Sequence, residues 1–307
     1  MTMSSKRPTL IVIVGPTGSG KTALSVALAR HYHAPIISTD SRQFYRGLAI
    51  GTAQPTAEEL SLAEHYFIAD REVDDDFNCG RYEHEALARL DELFHKHNVV
   101  VAVGGSGLYI QALCEGMDNL PETDDELRNS LKQRLKNEGI ESLFEELSRL
   151  DPRYAEVVDR HNPARVMRAL EVCLSSGRPY SEQRKGERRQ RPFNIVKIGT
   201  DLPRDILYER INLRVDVMMR DGLEAEARAM LPKRHLNSLQ TVGYRELFDY
   251  FDGRCSLDDA IELIKRNSRR YAKRQLTWFR RDEDIAWFSP HDIEPIIAHI
   301  DAKILQN

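Results

Sequence analysis

Gly15-Pro16-Thr17-Gly18-Ser19-Gly20-Lys21-Thr22 is the stretch on which the fold turns. The apolar run Leu10-Ile11-Val12-Ile13-Val14 leads into it, and an amphipathic segment from Ala23 to Arg30 leads out. Strand, loop and helix in that order are the setting that the pattern G-x-x-x-x-G-K-[ST] requires of a phosphate-binding loop. Glycines let successive backbone N–H groups point inward at an anion, and the helix N-terminus adds a partial positive charge. Lys21 is a point charge for terminal phosphate oxygens, and the Thr22 hydroxyl is placed to hold a magnesium ion. A chance glycine-rich turn before a helix is the plainer alternative. The match at every fixed position, in the right context, disfavours it. The loop predicts a ligand carrying a di- or triphosphate.

At 307 residues the chain is one large domain or two small ones, and its 41% hydrophobic content suffices for a sizeable core. No run of about 18 apolar residues suggests a membrane span, and Met1 to Pro8 lacks the apolar stretch of a secretory signal. Cys79, Cys114, Cys173 and Cys255 lie far apart, without zinc-ligand or disulfide spacing. They read as reduced cysteines of a cytoplasmic protein. A net charge of −4 argues weakly against nucleic acid, but its distribution argues the other way. From Lys265 to Arg281 there are Lys265, Arg266, Arg269, Arg270, Lys273, Arg274, Arg280 and Arg281, and no acid. A second cluster, Arg178, Arg184, Lys185, Arg188, Arg189 and Arg191, is diluted by Glu182 and Glu187. A solvated helix face normally mixes signs, as Glu122 to Glu138 does, so the two clusters suggest a polyanionic partner.

Ala34 to Thr39 reads as a second parallel strand and ends in Asp40-Ser41-Arg42-Gln43. Ligands of open α/β sheets sit beyond the carboxyl ends of strands, which places Asp40 beside the phosphate loop. Arg81 to Lys96 has helical spacing, and Val99 to Val103 is apolar and β-branched, as a strand buried on both faces should be. It runs into Gly104-Gly105-Ser106-Gly107, a weak motif alone but one facing the same crevice. From about Met117 to Arg191 strand signals vanish. Leu127, Leu131 and Leu135 mark a helix after Thr123-Asp124-Asp125, and Leu143, Leu147 and Leu150 mark another. Asn162-Pro163 to Gly177 has cap, first-turn proline and glycine terminator. Strand signal returns at Asn194 to Gly199, followed by helices at Arg204–Arg220, Leu239–Tyr250 and Leu257–Phe279 and a short strand at Ile285–Phe288. Arg210 and Arg214 lie one turn apart, either aimed together or paired with Glu209 and Asp216. The expected architecture is α/β: a P-loop NTPase-like core, residues 1–116 and 194–307, with a mostly parallel sheet and an inserted all-helical domain, residues 117–193.

Taken together, the motifs resemble the bacterial tRNA dimethylallyltransferases, also called tRNA isopentenyltransferases. Besides the phosphate loop, the resemblance rests on Ser38 to Gly47, Ile50 to Pro55, Val103 to Tyr109, Asn162 to Glu171, Arg210 to Val215, Thr241 to Glu246 and Lys273 to Phe279, in the family's order. It implies transfer of a dimethylallyl group from dimethylallyl diphosphate to N6 of the adenine 3′-adjacent to the anticodon. Magnesium (Mg2+) is required and diphosphate leaves. On this resemblance Gly15, Thr17, Gly18, Ser19, Gly20, Lys21, Thr22 and Arg214 bind the diphosphate, with Thr22 on the metal. Asp40 is the general base, assisted by Lys21 and Arg214. Asp40, Ser41, Arg42, Gln43, Ser106, Arg128, Ala164, Arg165, Val166, Met167, Arg168, Thr241, Val242, Gly243, Tyr244, Arg245 and Glu246 meet the tRNA anticodon stem-loop. A cytoplasmic monomer without membrane contact is expected. Ser106 stands where threonine is common, and Gln54 where lysine is common. A phosphate-loop kinase of a small metabolite or nucleotide is the alternative, and it leaves the helical insertion and basic runs without a purpose.

Overall fold

The computed structural model describes residues 7–118, 120–121, 124–186 and 188–306. Expectations resting on the first six residues, on Glu122 and Thr123 ahead of a helix, and on Glu187 in the second basic cluster lie outside the described residues. The chain forms two compact units, one of Met1–Cys114 with Arg191–Asn307 and the other of Glu115–Gln190.

The elements run β1 (Thr9–Val14), α1 (Lys21–Tyr32), β2 (Ile36–Ser38), α2 (Ala57–Leu62), β3 (His65–Tyr66), α3 (Cys79–Phe94), β4 (Val99–Gly104) and α4 (Gly107–Glu115). They continue with α5 (Asp125–Leu150), α6 (Pro152–Ala155), α7 (Pro163–Ser176), α8 (Tyr180–Gln183), β5 (Asn194–Thr200), α9 (Arg204–Arg220) and α10 (Leu223–Met230). The last are α11 (Tyr244–Phe251), α12 (Leu257–Phe279), β6 (Ile285–Phe288) and α13 (Ile293–Gln306).

In the larger unit six parallel strands form one sheet in the order β3-β2-β4-β1-β5-β6. Strand β1 is central and every residue in it is buried. Its side chains alternate between faces. Leu10, Val12 and Val14 join a core with Phe44, Tyr82, Leu90 and Leu247. Ile11 and Ile13 join the opposite core with Leu24, Leu28, Ile296 and Ile300 from α1 and α13. A strand covered on both sides has no position for a polar side chain, which is why its sequence is an unbroken apolar run. Parallel pairing also brings the ends of β1, β2, β4 and β5 to one edge, where the loops after them meet.

The smaller unit packs α5 on α7 around Leu131, Leu143, Leu147, Val166 and Leu170. The two leucine-patterned helices expected there are the two halves of α5, separated by a kink where Gly139 leaves the helical conformation at φ +83°. Helix α7 has Asn162 accepting the Arg165 amide at its start and Gly177 in the left-handed region at its end. The helix expected from Leu239 begins instead at Tyr244, because Gly243 at φ 102° breaks it and Asn237–Leu239 forms a separate 3-10 turn. The sequence reading also lacked α2, β3, α4, α6, α8, α10 and α13.

Candidate active site

A cavity of about 690 Å³ opens at the carboxyl edge of the sheet in the larger unit. The phosphate loop forms one wall, with Thr17, Gly18, Gly20, Lys21 and Thr22 exposed to it. Gly18 (φ +83°) and Gly20 (φ +91°) turn the loop into α1, in a backbone conformation that L side chains rarely adopt. A Cβ on Gly15 would stand 2.2 Å from Thr200 Oγ1, so the loop lies directly on the end of β5. Ser19 is fully buried, its hydroxyl donated to the Pro16 carbonyl (2.8 Å) and 2.6 Å from the Thr200 hydroxyl. Gly15 and Ser19 therefore shape the loop, the Ser19 amide also donating to the Pro16 carbonyl at 3.3 Å.

The cations come next. Lys21 Nζ folds back to donate to the Pro16 carbonyl at 2.7 Å. Burial, and secondarily the like charge of Arg214, lower its pKa to about 7, while Asp40 pulls the other way. Arg210 and Arg214 both face the cavity. Asp216, which was one possible partner for them, pairs instead with Lys265 at 2.8 Å. Arg214 donates to Thr17 Oγ1 at 3.4 Å, and burial followed by the neighbouring Arg210 lowers its pKa. Two guanidinium groups held side by side without a carboxylate between them make an anion site.

Asp40 lines the same cavity, just past the end of β2, near enough to Lys21 for their charges to interact. One of its carboxylate oxygens accepts the Arg42 amide at 3.0 Å, so it caps its own turn and also presents a carboxylate to the cavity. Its pKa is raised, chiefly by burial, against the Arg42 amide and the charges of Lys21 and Arg42. The loop it belongs to is held from three sides. Gln43 Nε2 donates to the carbonyls of Thr52 (3.3 Å) and Ala53 (2.8 Å). Arg42 donates to the Asn237 carbonyl at 2.8 Å. Ser106 accepts the Ser41 amide and donates to the Ser41 hydroxyl, both at 3.0 Å. Gln54, in place of a common lysine, donates to the carbonyls of Gln43 and Tyr45.

Several expected tRNA contacts need correction. Tyr244 is fully buried and donates to Glu226 at 2.6 Å. Glu226 also accepts the amides of Ile50 and Gly51, so Tyr244 helps fix the loop that Gln43 grips. Glu246 is buried too, accepting the Gly243 amide and an Asn267 amide hydrogen. Val166 is core in the smaller unit, and the Ser106 hydroxyl is engaged by Ser41. Their side chains support neighbours and do not face a partner. Thr241, Val242, Gly243 and Arg245 do line the cavity. In the smaller unit Ala164 and Arg165 are exposed, Met167 and Arg168 half-buried. Arg128 (3.4 Å) and Arg168 (3.3 Å) both pair with the buried Glu171.

The basic runs divide similarly. Arg191 is buried, pairing with Glu83 at 2.8 Å and donating to the carbonyls of Leu113 and Ala112. Lys265 is tied to Asp216 and Glu262, and Arg269 to Asn212. Arg266, Arg270, Lys273 and Arg274 are exposed, Arg274 also lining the cavity with its guanidinium over the Tyr271 ring.

Among the described residues no group of three or more His, Cys, Asp or Glu side chains forms a metal site. The donor set suits magnesium in another way. The Thr22 hydroxyl lines the cavity beside the loop amides, and magnesium is characteristically held by few protein oxygens together with substrate phosphates and water.

A family model described as IPP transferase matches residues 43–282. The chain is 48% identical over 292 residues to tRNA dimethylallyltransferase 1 of Phocaeicola vulgatus, covering 95% of this chain and 97% of that one. It is 49% identical over 293 residues to tRNA dimethylallyltransferase 1 of Bacteroides thetaiotaomicron, covering 95% of each. Its fold matches the crystal structure of the full-length tRNA isopentenylpyrophosphate transferase of Bacillus halodurans with a TM-score of 0.73, at 37% identity and 98% coverage of both chains.

Proposed function

The chain belongs to the IPP transferase family, and from that premise we propose that it moves a dimethylallyl group from dimethylallyl diphosphate to N6 of the adenine 3′-adjacent to the anticodon of tRNA. The observation that carries this reading is one cavity lined by a phosphate loop, by Arg210 and Arg214, which no ion pair joins to a carboxylate among the described residues, and by the Asp40 carboxylate. A kinase would use the loop and a carboxylate base as well, and it is the matched family that favours alkyl transfer.

An exocyclic amine is a weak nucleophile, so the step needs alignment, a leaving group that tolerates charge, and a proton acceptor. The adenine N6 attacks C1 of the dimethylallyl group. The C1–O bond breaks with its electron pair passing to diphosphate, and the N6 proton goes to Asp40. The raised pKa of Asp40 improves it as a base, a role typically worth about 10²–10⁴-fold. The loop amides after Gly18, together with Lys21 and Arg214, oppose charge growing on the diphosphate. Magnesium held by Thr22 and the diphosphate would supply further neutralisation of the leaving oxygens. Ser41, Arg42 and Gln43 border the acceptor side, and Thr241, Val242, Gly243 and Arg245 line the same cavity. The target base must leave its stack to enter, at a cost of about a few kcal/mol. In the helical unit Arg165 and its neighbours on α7 are proposed to hold the tRNA backbone, which offsets that cost.

Labelled dimethylallyl diphosphate, unmodified tRNA and magnesium, run beside an ATP control, test the reading. Label in the adenine with ATP inert is the expected outcome. Consumption of ATP without transfer would return the chain to the kinase reading.

A further inference from the structure

We propose that Gln275 is a positioning residue that locks the diphosphate half of the site to the acceptor half, a role that rests on the transfer reading above. Helix α12 brings Ile264, Ser268, Tyr271 and Gln275 to one face, at spacings of whole turns, and that face lines the cavity. Gln275 is the buried polar residue among them, 6% exposed. Its Oε1 accepts the Thr17 amide at 2.8 Å, and its Nε2 donates to the Gly105 carbonyl at 2.8 Å. The orientation of the amide is dictated by its partners, since an N–H must meet an oxygen and a carbonyl must meet an N–H. Gly105 makes room for it, because a Cβ there would stand 2.2 Å from Gln275 Nε2.

The two partners are not ordinary loop positions. Thr17 precedes Gly18 in the phosphate loop, and its hydroxyl accepts from Arg214. With its amide committed to Gln275, Thr17 has its hydroxyl left to offer a diphosphate. Gly105 precedes Ser106, whose hydroxyl holds Ser41, next to Asp40. A continuous path therefore runs from Arg214 through Thr17, Gln275, Gly105, Ser106 and Ser41 to the Asp40 turn. Strand pairing of β1 with β4 fixes the bases of these two loops; Gln275 is a direct side-chain tie between their tips. In-line attack requires the donor carbon and the acceptor nitrogen to be aligned. A displacement of about 1 Å is enough to cost about a hundredfold.

Two substitutions test this. Gln275→Met keeps the length and removes both hydrogen bonds. It should lower kcat by about tenfold to a hundredfold while KM for dimethylallyl diphosphate and tRNA affinity stay within about threefold of wild type. Gln275→Glu keeps the acceptor for Thr17 but, when ionised, sets a carboxylate against the Gly105 carbonyl. Protonated, the new carboxyl can donate as the amide did. The ratio of variant to wild-type kcat should thus rise at least about threefold between pH 8.5 and pH 6, because burial raises a carboxyl pKa into that range. A residue that only fills space would show no such recovery. A Gln275→Met kcat within about twofold of wild type, or a flat ratio for Gln275→Glu, would overturn the proposal. If the methionine variant fails to fold, the pH ratio decides alone. Absence of transfer in the wild-type enzyme would instead refute the functional reading, and the two failures are distinct.

Discussion

The two compact units treat positive charge in opposite ways. In the larger unit Lys21, Arg210 and Arg214 crowd one cavity wall, and among the described residues no ion pair joins any of the three to a carboxylate. Crowding and burial lower the pKa of Lys21 and of Arg214, which is energetically unfavourable until an anion arrives. In the helical unit Arg128 and Arg168 lean on Glu171, and Arg134 on Glu138 and Glu146. Those arginines are satisfied before any partner binds. The difference teaches a division of labour. Unsatisfied charge in a closed wall is preorganised for a leaving group, whereas balanced charge on a helical surface suits a binding face that must stay soluble.

The sharpest way to break the comparison lies in the larger unit. Asp40→Asn keeps the cap on the Arg42 amide through its side-chain oxygen but removes the base. Single-turnover transfer should fall by about 10²–10⁴-fold while filter-binding affinity for tRNA is retained. Wild-type turnover would remove Asp40 from the mechanism. Next in size is Arg214→Gln, which removes one preorganised donor from the diphosphate wall. The expected loss is about a hundredfold in kcat, equivalent to about 2.7 kcal/mol of barrier. A change confined to KM would mean that Arg214 binds donor and transition state equally.

The helical unit should answer to salt and not to chemistry. Arg165 is exposed at the start of α7, with only its amide engaged by Asn162. Arg165→Ala should weaken tRNA binding by about tenfold or less, reduce the slope of log affinity against log salt by about one, and leave kcat at saturating tRNA unchanged. A drop in kcat instead would show that this unit takes part in the chemical step, and the division of labour would fail.

How much of this was readable beforehand follows from what each feature depends on. Strand β1, the phosphate loop, α9, α12 and β6 were legible because a buried parallel strand, a loop of fixed spacing and an amphipathic helix each write a local pattern. Asp40 was legible through position alone, as the residue at the end of β2. Strand β3, two residues long and half-exposed, exists because it pairs with β2, and nothing within His65-Tyr66 announces that. Helix α13 shares the Ile11 core, yet its apolar residues lack flanking signals strong enough to separate it from a tail. Family resemblance located Tyr244 and Glu246 near the site but could not say which way they point. Only the packing of Tyr244 against Gly51, where a Cβ would come within 2.6 Å, reveals them as supports. Gln275 was hidden for the same reason, since its partners lie 258 and 170 residues away.

The smallest effect separates the units most cleanly, because it uses protons as the probe. Without ligand, Lys21 has its pKa lowered from 10.5 to about 7, so at pH 8 it is mostly neutral. A bound diphosphate favours the ammonium and raises that pKa again. Binding at pH 8 must then take up a fraction of a proton approaching one, whereas at pH 6, where Lys21 is already charged, this group takes up almost none. Calorimetry in buffers of different ionisation enthalpy measures the uptake directly. Lys21→Met should abolish it, and Arg214→Gln should shrink it by removing the like charge that helps to depress Lys21. The same linkage sets stability. A lysine whose pKa is lower folded than unfolded makes the protein more stable as pH rises from about 7 toward 10.5, a trend that bound ligand should flatten. The helical unit's grip on tRNA should instead fall with salt. Proton uptake that persisted in Lys21→Met would move the titrating group elsewhere in the cavity, with Asp40, whose pKa is raised, as the group to examine.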